Sequence, residues 1–218
     1  MPHKARLTQT ERNTERPIMT TSYFSSDTCE LNDLIALATQ TCDPSNVPHA
    51  SDVQNNVPIY DMTTLRAALE EPASRRDLMA EWATVLLSGS GVLVLRAAYA
   101  QTDVIDEATS VYEAIIDAEK QTSGDSSDHF AASGANDRIW NSLQKLCEHA
   151  PEIFLRYFAN TSIAALCEAW LGPNYQMSAQ VNLVHPGGAA QLAHRDYHLG
   201  FQTADISAQY PAHVHDLS

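Results

Sequence analysis

The segment Gln191-Leu192-Ala193-His194-Arg195-Asp196-Tyr197-His198 holds the residues of this chain that are best suited to chemistry, and it follows a Pro186-Gly187-Gly188 turn. In an extended strand the side chains alternate between two faces, so His194 and Asp196 would point the same way, with His198 behind them. One imidazole and one carboxylate on one face are two of the three protein ligands of a 2-His-1-carboxylate Fe(II) centre. The pattern therefore indicates a non-haem iron site whose third ligand has to be sought elsewhere.

The composition is that of a globular protein with a marked acidic excess. The 218 residues are 44% hydrophobic and 18% charged, which suits one domain with a sizeable core. A net charge of −14 argues against nucleic acid and anionic membranes as partners, and no apolar run approaches a membrane-spanning length. The four cysteines have no zinc-ligand spacing, which favours free thiols in a reducing cytosol and leaves disulfide pairing open. We therefore expect a cytoplasmic protein, and its oligomeric state stays open.

The first quarter of the chain differs from the rest. Residues 1–58 are polar, and we expect a partly disordered extension, with Met19 as a second candidate start of translation. One apolar patch there, Leu31 to Leu37, is typical of a helical turn. The folded domain is predicted to occupy residues 59–218.

Helix signals come before strand signals in this domain. The predicted elements are, in chain order, a short helix capped by Asp61 and closed by Pro72, a helix opened by Ser74 and stopped by Gly89, a buried strand over Gly91-Val92-Leu93-Val94-Leu95-Arg96, a longer helix capped by Thr102, two helices opened by Asn136 and Thr161, and strands over Met177 to His185 and from Ala190 onward. This order favours an α+β domain whose sheet core begins near residue 175. A jelly roll needs about eight strands, and the residues after 175 are too few for them. We therefore expect a C-terminal portion of the domain to be absent from this chain.

Five segments in this order carry a family resemblance. They are Gly91-Val92-Leu93-Val94-Leu95, Asn136-Asp137-Arg138-Ile139-Trp140, Leu171-Gly172-Pro173-Asn174, the strand through Gln180-Val181-Asn182, and His194-Arg195-Asp196-Tyr197-His198. Together they make the chain resemble the phytanoyl-CoA dioxygenase family of Fe(II)- and 2-oxoglutarate-dependent oxygenases. The resemblance covers about half of the chain.

The resemblance implies a fold, a metal centre and a reaction. The fold is α+β, with N-terminal helices flanking a double-stranded β-helix (a jelly-roll, cupin-like core) that is incomplete in this chain. His194 and Asp196 are implied to ligate Fe(II), with 2-oxoglutarate as cosubstrate and molecular oxygen as oxidant. In the family a second His, and then an Arg that pairs with the cosubstrate, lie several tens of residues further on. His213 and His215 are too near in sequence to be that distal ligand, and we expect them in a loop.

Four further residues are candidates for binding. Gln180 and Asn182 share a face of the predicted strand and could hydrogen-bond the cosubstrate. Arg138 and His198 are candidates for the substrate pocket, although a histidine in such a strand is as often part of the core. Trp140 could line the mouth of the site with Arg138, but it precedes Leu143 and Leu146 at helical spacing, which is more often plain core packing.

Two other classes of function stay open. The chain could be a catalytically incomplete fragment or a pseudoenzyme that lacks the distal His and Arg. It could also be a cupin-like protein that binds another metal through His194, Asp196 and either His213 or His215. A downstream His followed by an Arg in the source DNA would favour the dioxygenase over both.

Overall fold

The structure is a computed structural model and describes residues 23, 30–123, 136–188, 205 and 209. The chain divides into two compact units, one of Thr39–Gln191 and one that combines Met1–Ala38 with Leu192–Ser218. The second unit contributes one described helix, α1 (Leu31–Ala38), which confirms the helical turn predicted there. Across the described residues, no helix is both long enough and apolar enough to cross a membrane.

Helices dominate the unit Thr39–Gln191, and two small sheets accompany them. Its elements in chain order are β1 (Asp52–Gln54), β2 (Val57–Asp61), α2 (Met62–Leu65), α3 (Pro72–Ser88), β3 (Val94–Arg96), α4 (Asp103–Ser123), β4 (Asn136–Ile139), α5 (Ser142–His149), α6 (Pro151–Phe158), α7 (Thr161–Leu171) and β5 (Val181–Val184). Two short 3₁₀ helices, Pro44–Asn46 and Arg66–Leu69, complete it.

The first sheet has the strand order β1-β2-β3. β1 and β2 form an antiparallel hairpin, whose turn residues Asn55 and Asn56 have φ values of 50° and 69°. Two positive φ values are what a tight hairpin turn requires, and asparagine tolerates them better than most residues. β3 adds in parallel on the other side of β2, with Ile59 paired to Val94.

A first apolar core lies where this sheet meets α3 and α7. Its buried residues are Tyr60, Met62, Leu69, Leu78, Trp82 and Ala165. The rings of Tyr60 and Trp82 meet edge to face with centroids 5.8 Å apart, a favoured aromatic geometry. The Tyr60 hydroxyl donates to the Glu81 carboxylate at 2.8 Å, and His49 pairs with the same carboxylate. Burial, followed by this hydrogen bond, raises the pKa of Tyr60.

A second apolar core lies between the second sheet and helices α4, α5 and α6. Its buried residues are Ala108, Tyr112, Ile115, Ile116, Ile139 and Leu146. The sheet consists of β4 and β5, which pair antiparallel with Asn136 opposite Val184 and Ile139 opposite Val181. Ile139 of β4 is fully buried in this core, and Val181 of β5 packs against it.

Several predicted element boundaries agree with the structure. The Asp61 carboxylate accepts from the Thr63 backbone N–H at 2.9 Å and so caps α2. Gly172, with a φ of 83°, ends α7 where the Leu171-Gly172-Pro173 signal predicts a stop. The strand predicted at Gly91 is shorter than expected, since β3 begins at Val94. The prediction that this strand is buried is wrong, because Val94 is 43% exposed.

Two predicted helix starts are wrong. Ser74 does not open α3, because Pro72 is its first residue and the Glu71 carboxylate accepts from the N–H groups of Ala73 and Ser74, at 3.1 and 2.7 Å. Asn136 opens a strand instead of a helix. The prediction failed there because β4 owes its conformation to pairing with β5, a partner far along the chain.

The described residues therefore have mixed helix and sheet content, with two small sheets that do not close into a barrel. The strand predicted over Met177 to His185 is present only in part, as β5 (Val181–Val184). The strand predicted from Ala190 onward lies outside the described residues. The division at residue 58 stays a prediction.

Candidate functional site

The predicted site residues fall into two groups. The predicted metal ligands, His194 and Asp196, lie outside the described residues, as does His198. Arg138, Gln180 and Asn182 are described, and all three belong to the unit Thr39–Gln191. The local geometry of the candidate site is therefore the geometry of β4 and β5.

The register of β4 and β5 brings two of these residues together. Arg138 and Asn182 are directly paired across the two strands. Side chains of directly paired residues lie on the same face, about 5 Å apart at Cβ. Gln180 is two residues before Asn182, so a regular strand would place it on this face as well. Residues of these types can donate hydrogen bonds to carboxylate oxygens.

The surroundings of this polar face differ from residue to residue. Asn182 and Gln180 are exposed, whereas Arg138 is half-buried and its guanidinium carbon lies 5.1 Å from the centroid of the Trp140 ring. This distance allows a cation–π interaction. Trp140 is 43% exposed and lies before the first residue of α5, so the interpretation of Trp140 as a core residue was wrong. Leu146, which belongs to the same predicted pattern, is fully buried.

The same face carries a buried amide that the sequence analysis missed. Asn136 lies two residues before Arg138 and is 4% exposed. Its Oδ1 has no hydrogen-bond partner within the described part of the chain. A buried polar atom without a protein partner is uncommon, and a bound water or ion is one explanation for it.

The opposite face carries a charged cluster, which we call the Asp137 cluster and define as Lys120, Asp137 and His185. The Asp137 side chain is only 5% exposed, and its Oδ2 accepts from Lys120 Nζ at 2.7 Å and contacts His185 Nε2 at 2.6 Å. Burial raises the pKa of the Asp137 carboxyl, but the hydrogen bonds from Lys120 and His185 outweigh it and hold the pKa below its ordinary value. The cluster joins α4, β4 and the residue that follows β5.

The turn after β5 is defined by its backbone. The Gly188 N–H donates to the His185 carbonyl at 2.8 Å, and Gly187 has a φ of 85°. Side-chain-bearing residues rarely adopt such a value, which explains why a glycine stands there. The predicted Pro186-Gly187-Gly188 turn is confirmed.

Comparison with known families decides the affiliation of the chain. The family model for phytanoyl-CoA dioxygenase (PhyH) matches residues 87–215, more than half of the sequence. The chain belongs to the phytanoyl-CoA dioxygenase family. The match runs from the end of α3 through β4, β5 and the His194-Arg195-Asp196 segment. No curated protein and no solved structure matches the chain.

Membership of the phytanoyl-CoA dioxygenase family makes an enzyme of the dioxygenase class the expectation for this chain, and Fe(II) and 2-oxoglutarate are what the family uses. The donor types of His194 and Asp196 fit Fe(II), which takes imidazole nitrogen and carboxylate oxygen in a facial arrangement. Within residues 30–123 and 136–188, no group of three or more His, Cys, Asp or Glu side chains could hold a metal ion.

Proposed function

We propose that this protein is an Fe(II)- and 2-oxoglutarate-dependent dioxygenase that hydroxylates a small molecule. The observation that carries the proposal is the family match over residues 87–215, which contains the His194 and Asp196 pair. The proposal includes a double-stranded β-helix core, of whose domain residues 59–218 form the N-terminal part. The helices α3 to α7 would flank that core.

His194 and Asp196 are proposed as two of the metal ligands. A neutral imidazole and an ionised carboxylate are both good donors for Fe(II), and the carboxylate also reduces the positive charge of the centre. When bound together with 2-oxoglutarate and oxygen, Fe(II) supplies the oxidising power for hydroxylation of a C–H bond. The protein's own contribution is to hold its ligands in place and to exclude water from the reacting atoms.

The polar face of β4 and β5 is proposed to serve binding. The Asn182 and Gln180 amides can donate to a carboxylate oxygen of 2-oxoglutarate. Arg138, beside Trp140, is proposed to contact the substrate. The cross-strand pairing of Arg138 with Asn182 supports a shared binding face, because both side chains project from the side of the sheet that does not carry Ile139. His198 is proposed as a further residue of the substrate pocket.

The test is 2-oxoglutarate turnover by the full-length protein with Fe(II), measured as succinate released in air. We expect release that depends on added Fe(II) and is abolished in His194→Ala and in Asp196→Ala. His149→Ala is the matched control, since His149 is an exposed histidine at the end of α5. Turnover that is equal in His194→Ala and wild type would refute the ligand assignment. A protein that binds another metal and releases no succinate would favour the cupin-like alternative.

A further inference from the structure

A cavity lies where the segment between β3 and α4 meets the junction of α6 and α7. Its volume is about 330 Å³, close to the lower end of the range for sites that bind small molecules. Ala98, Ala100 and Ala159 line it together with Tyr99, so part of its wall is apolar. Its lining residues belong to neither β4 nor β5, and the cavity is therefore separate from the polar face that is proposed to bind the cosubstrate.

Hydrogen bonds hold the wall of this cavity in place. Asn160 is 9% exposed, its Nδ2 donates to the Ala98 carbonyl at 3.1 Å, and its Oδ1 caps the first turn of α7. The Tyr99 hydroxyl donates to the Tyr157 carbonyl at 2.8 Å, and the two rings stack with centroids 5.8 Å apart. A site that is already formed binds a ligand more tightly, because little conformational freedom is lost on binding.

One cation and one anion line the same cavity. Arg156 Nη1 lies 3.7 Å from Asp103 Oδ2, which is too long for a hydrogen bond. The other terminal nitrogen of Arg156, Nη2, donates to the Glu107 carboxylate. Arg156 Nη1 and the Asp103 carboxylate therefore both keep the capacity to form a hydrogen bond with a ligand.

The charges at the cavity favour a ligand that carries both signs. A carboxylate can accept from Arg156, and an ammonium group can donate to Asp103. Because Asp103 and Glu107 outnumber Arg156 here, and the whole protein has a net charge of −14, a purely anionic ligand would be repelled. A zwitterion adds no net charge and satisfies both groups.

We propose that this cavity binds a small aliphatic α-amino acid. Its carboxylate contacts Arg156, its ammonium group contacts Asp103, and its side chain lies against the three alanines of the wall. Such a ligand joins α4 to α6, so its binding stabilises the folded state by mass action. The inference requires neither a metal nor 2-oxoglutarate and is independent of the proposed dioxygenase activity.

The test is an amide NMR titration of the full-length protein in the absence of Fe(II) and 2-oxoglutarate. The probes are L-valine, isovalerate, which lacks the ammonium group, and isobutylamine, which lacks the carboxylate. We expect L-valine to shift the amide signals of Gln101 and Thr161, which line the cavity, with a Kd on the order of 1 mM. Each of the other two probes should bind about fivefold to tenfold more weakly, since each lacks one charged hydrogen bond.

Variants assign the binding to the two charged residues. Arg156→Gln and Asp103→Asn should each raise the Kd for L-valine by about fivefold to tenfold. Arg76→Gln is the matched control, because Arg76 is an exposed arginine on α3, and it should leave the Kd unchanged. Amide signals of the two apolar cores should keep their wild-type positions in all three variants, which shows that the fold is retained.

Three results would overturn the proposal. The first is the absence of shifts at Gln101 and Thr161 at L-valine concentrations well above the expected Kd. The second is isobutylamine or isovalerate binding as tightly as L-valine, which would mean that the site recognises a single charge. The third is a Kd for L-valine that is unchanged in both Arg156→Gln and Asp103→Asn.

Discussion

Arg138 lies directly opposite Asn182 in the antiparallel pair of β4 and β5. The two residues are far apart in the sequence, and the register alone makes them neighbours on one face of the sheet. Asn182 is exposed there and its amide can donate a hydrogen bond. Replacement of its side chain should therefore weaken the binding of a carboxylate at this face.

Asn182→Ala should weaken the binding of 2-oxoglutarate. Loss of one hydrogen bond to a carboxylate predicts a rise in the KM for 2-oxoglutarate of about fivefold to tenfold, with the metal affinity unchanged. Steady-state succinate release at varied 2-oxoglutarate concentrations measures this KM. Asn174→Ala is the matched control, because Asn174 is an exposed asparagine in the turn after α7. A KM for Asn182→Ala equal to that of the control would remove Asn182 from the cosubstrate site.

Acid should destabilise the fold in part through Asp137. The pKa of this carboxyl is held below its ordinary value of 3.8 by Lys120 and His185, so the ionised form is favoured in the folded state. Its contribution to the free energy of unfolding is therefore complete above the unfolded-state pKa and is lost as the pH falls through the folded-state pKa. Asp137→Asn should be less stable than wild type at pH 7 and should lose less stability between pH 5 and acid conditions.

Urea unfolding at a series of pH values measures both the free energy of unfolding at pH 7 and its decrease in acid. Parallel pH profiles for wild type and Asp137→Asn would contradict the role given to the Asp137 cluster. Lys120→Met gives an independent check, because it removes one of the two contacts to Asp137 Oδ2 at a residue whose side chain is 45% exposed. It should weaken the acid dependence without abolishing it.

Leu146 should contribute much more to stability than an exposed leucine. Leu146→Ala removes a fully buried side chain from the second core, and truncations of this kind cost about 2–5 kcal/mol of unfolding free energy. Leu87→Ala is the control, since Leu87 is 77% exposed on α3 and its truncation should change stability by less than about 0.5 kcal/mol. Similar losses in the two variants, measured by urea unfolding, would mean that the second core is not packed as described.

Gly172→Ala should isolate the effect of backbone conformation. Gly172 has φ 83° and ψ 176°, a region that is almost restricted to glycine and costs other residues about 1–3 kcal/mol. A Cβ at this position would have no described heavy atom within 4 Å. A steric clash with the described residues would therefore not add to the loss of unfolding free energy. Thermal unfolding should show a lower Tm for Gly172→Ala, and an unchanged Tm would mean that α7 does not end in this conformation.

The parts of the fold that sequence reasoning predicted correctly are those with local causes. The cap at Asp61, the stop at Gly172 and the turn at Pro186-Gly187-Gly188 depend on residues within a few positions of each other. The strand at Asn136 was missed because its conformation depends on a partner more than forty residues later. No periodicity within four residues could have revealed it.

The candidate site also combines features that depend on neighbouring residues with features that depend on distant ones. The His-x-Asp pair is a local pattern whose role in metal binding stays a prediction, whereas the Asp137 cluster joins residues from α4, β4 and the end of β5. Neither Asp137 nor His185 lies in a motif of its own. Asp137 is only one residue of a segment that carries the family resemblance. Its burial becomes evident once the strand register is known.

An anaerobic titration of the full-length protein with Fe(II) and 2-oxoglutarate, followed by visible absorption, tests the assignment of His194 and Asp196 most directly. Chelation of protein-bound Fe(II) by a 2-oxo acid gives a charge-transfer band, which needs both the metal ligands and the cosubstrate. We predict the band in wild type and in His149→Ala, and its loss in His194→Ala and Asp196→Ala. A wild-type chain without the band, or a His194→Ala variant in which the band is as strong as in wild type, would contradict the assignment.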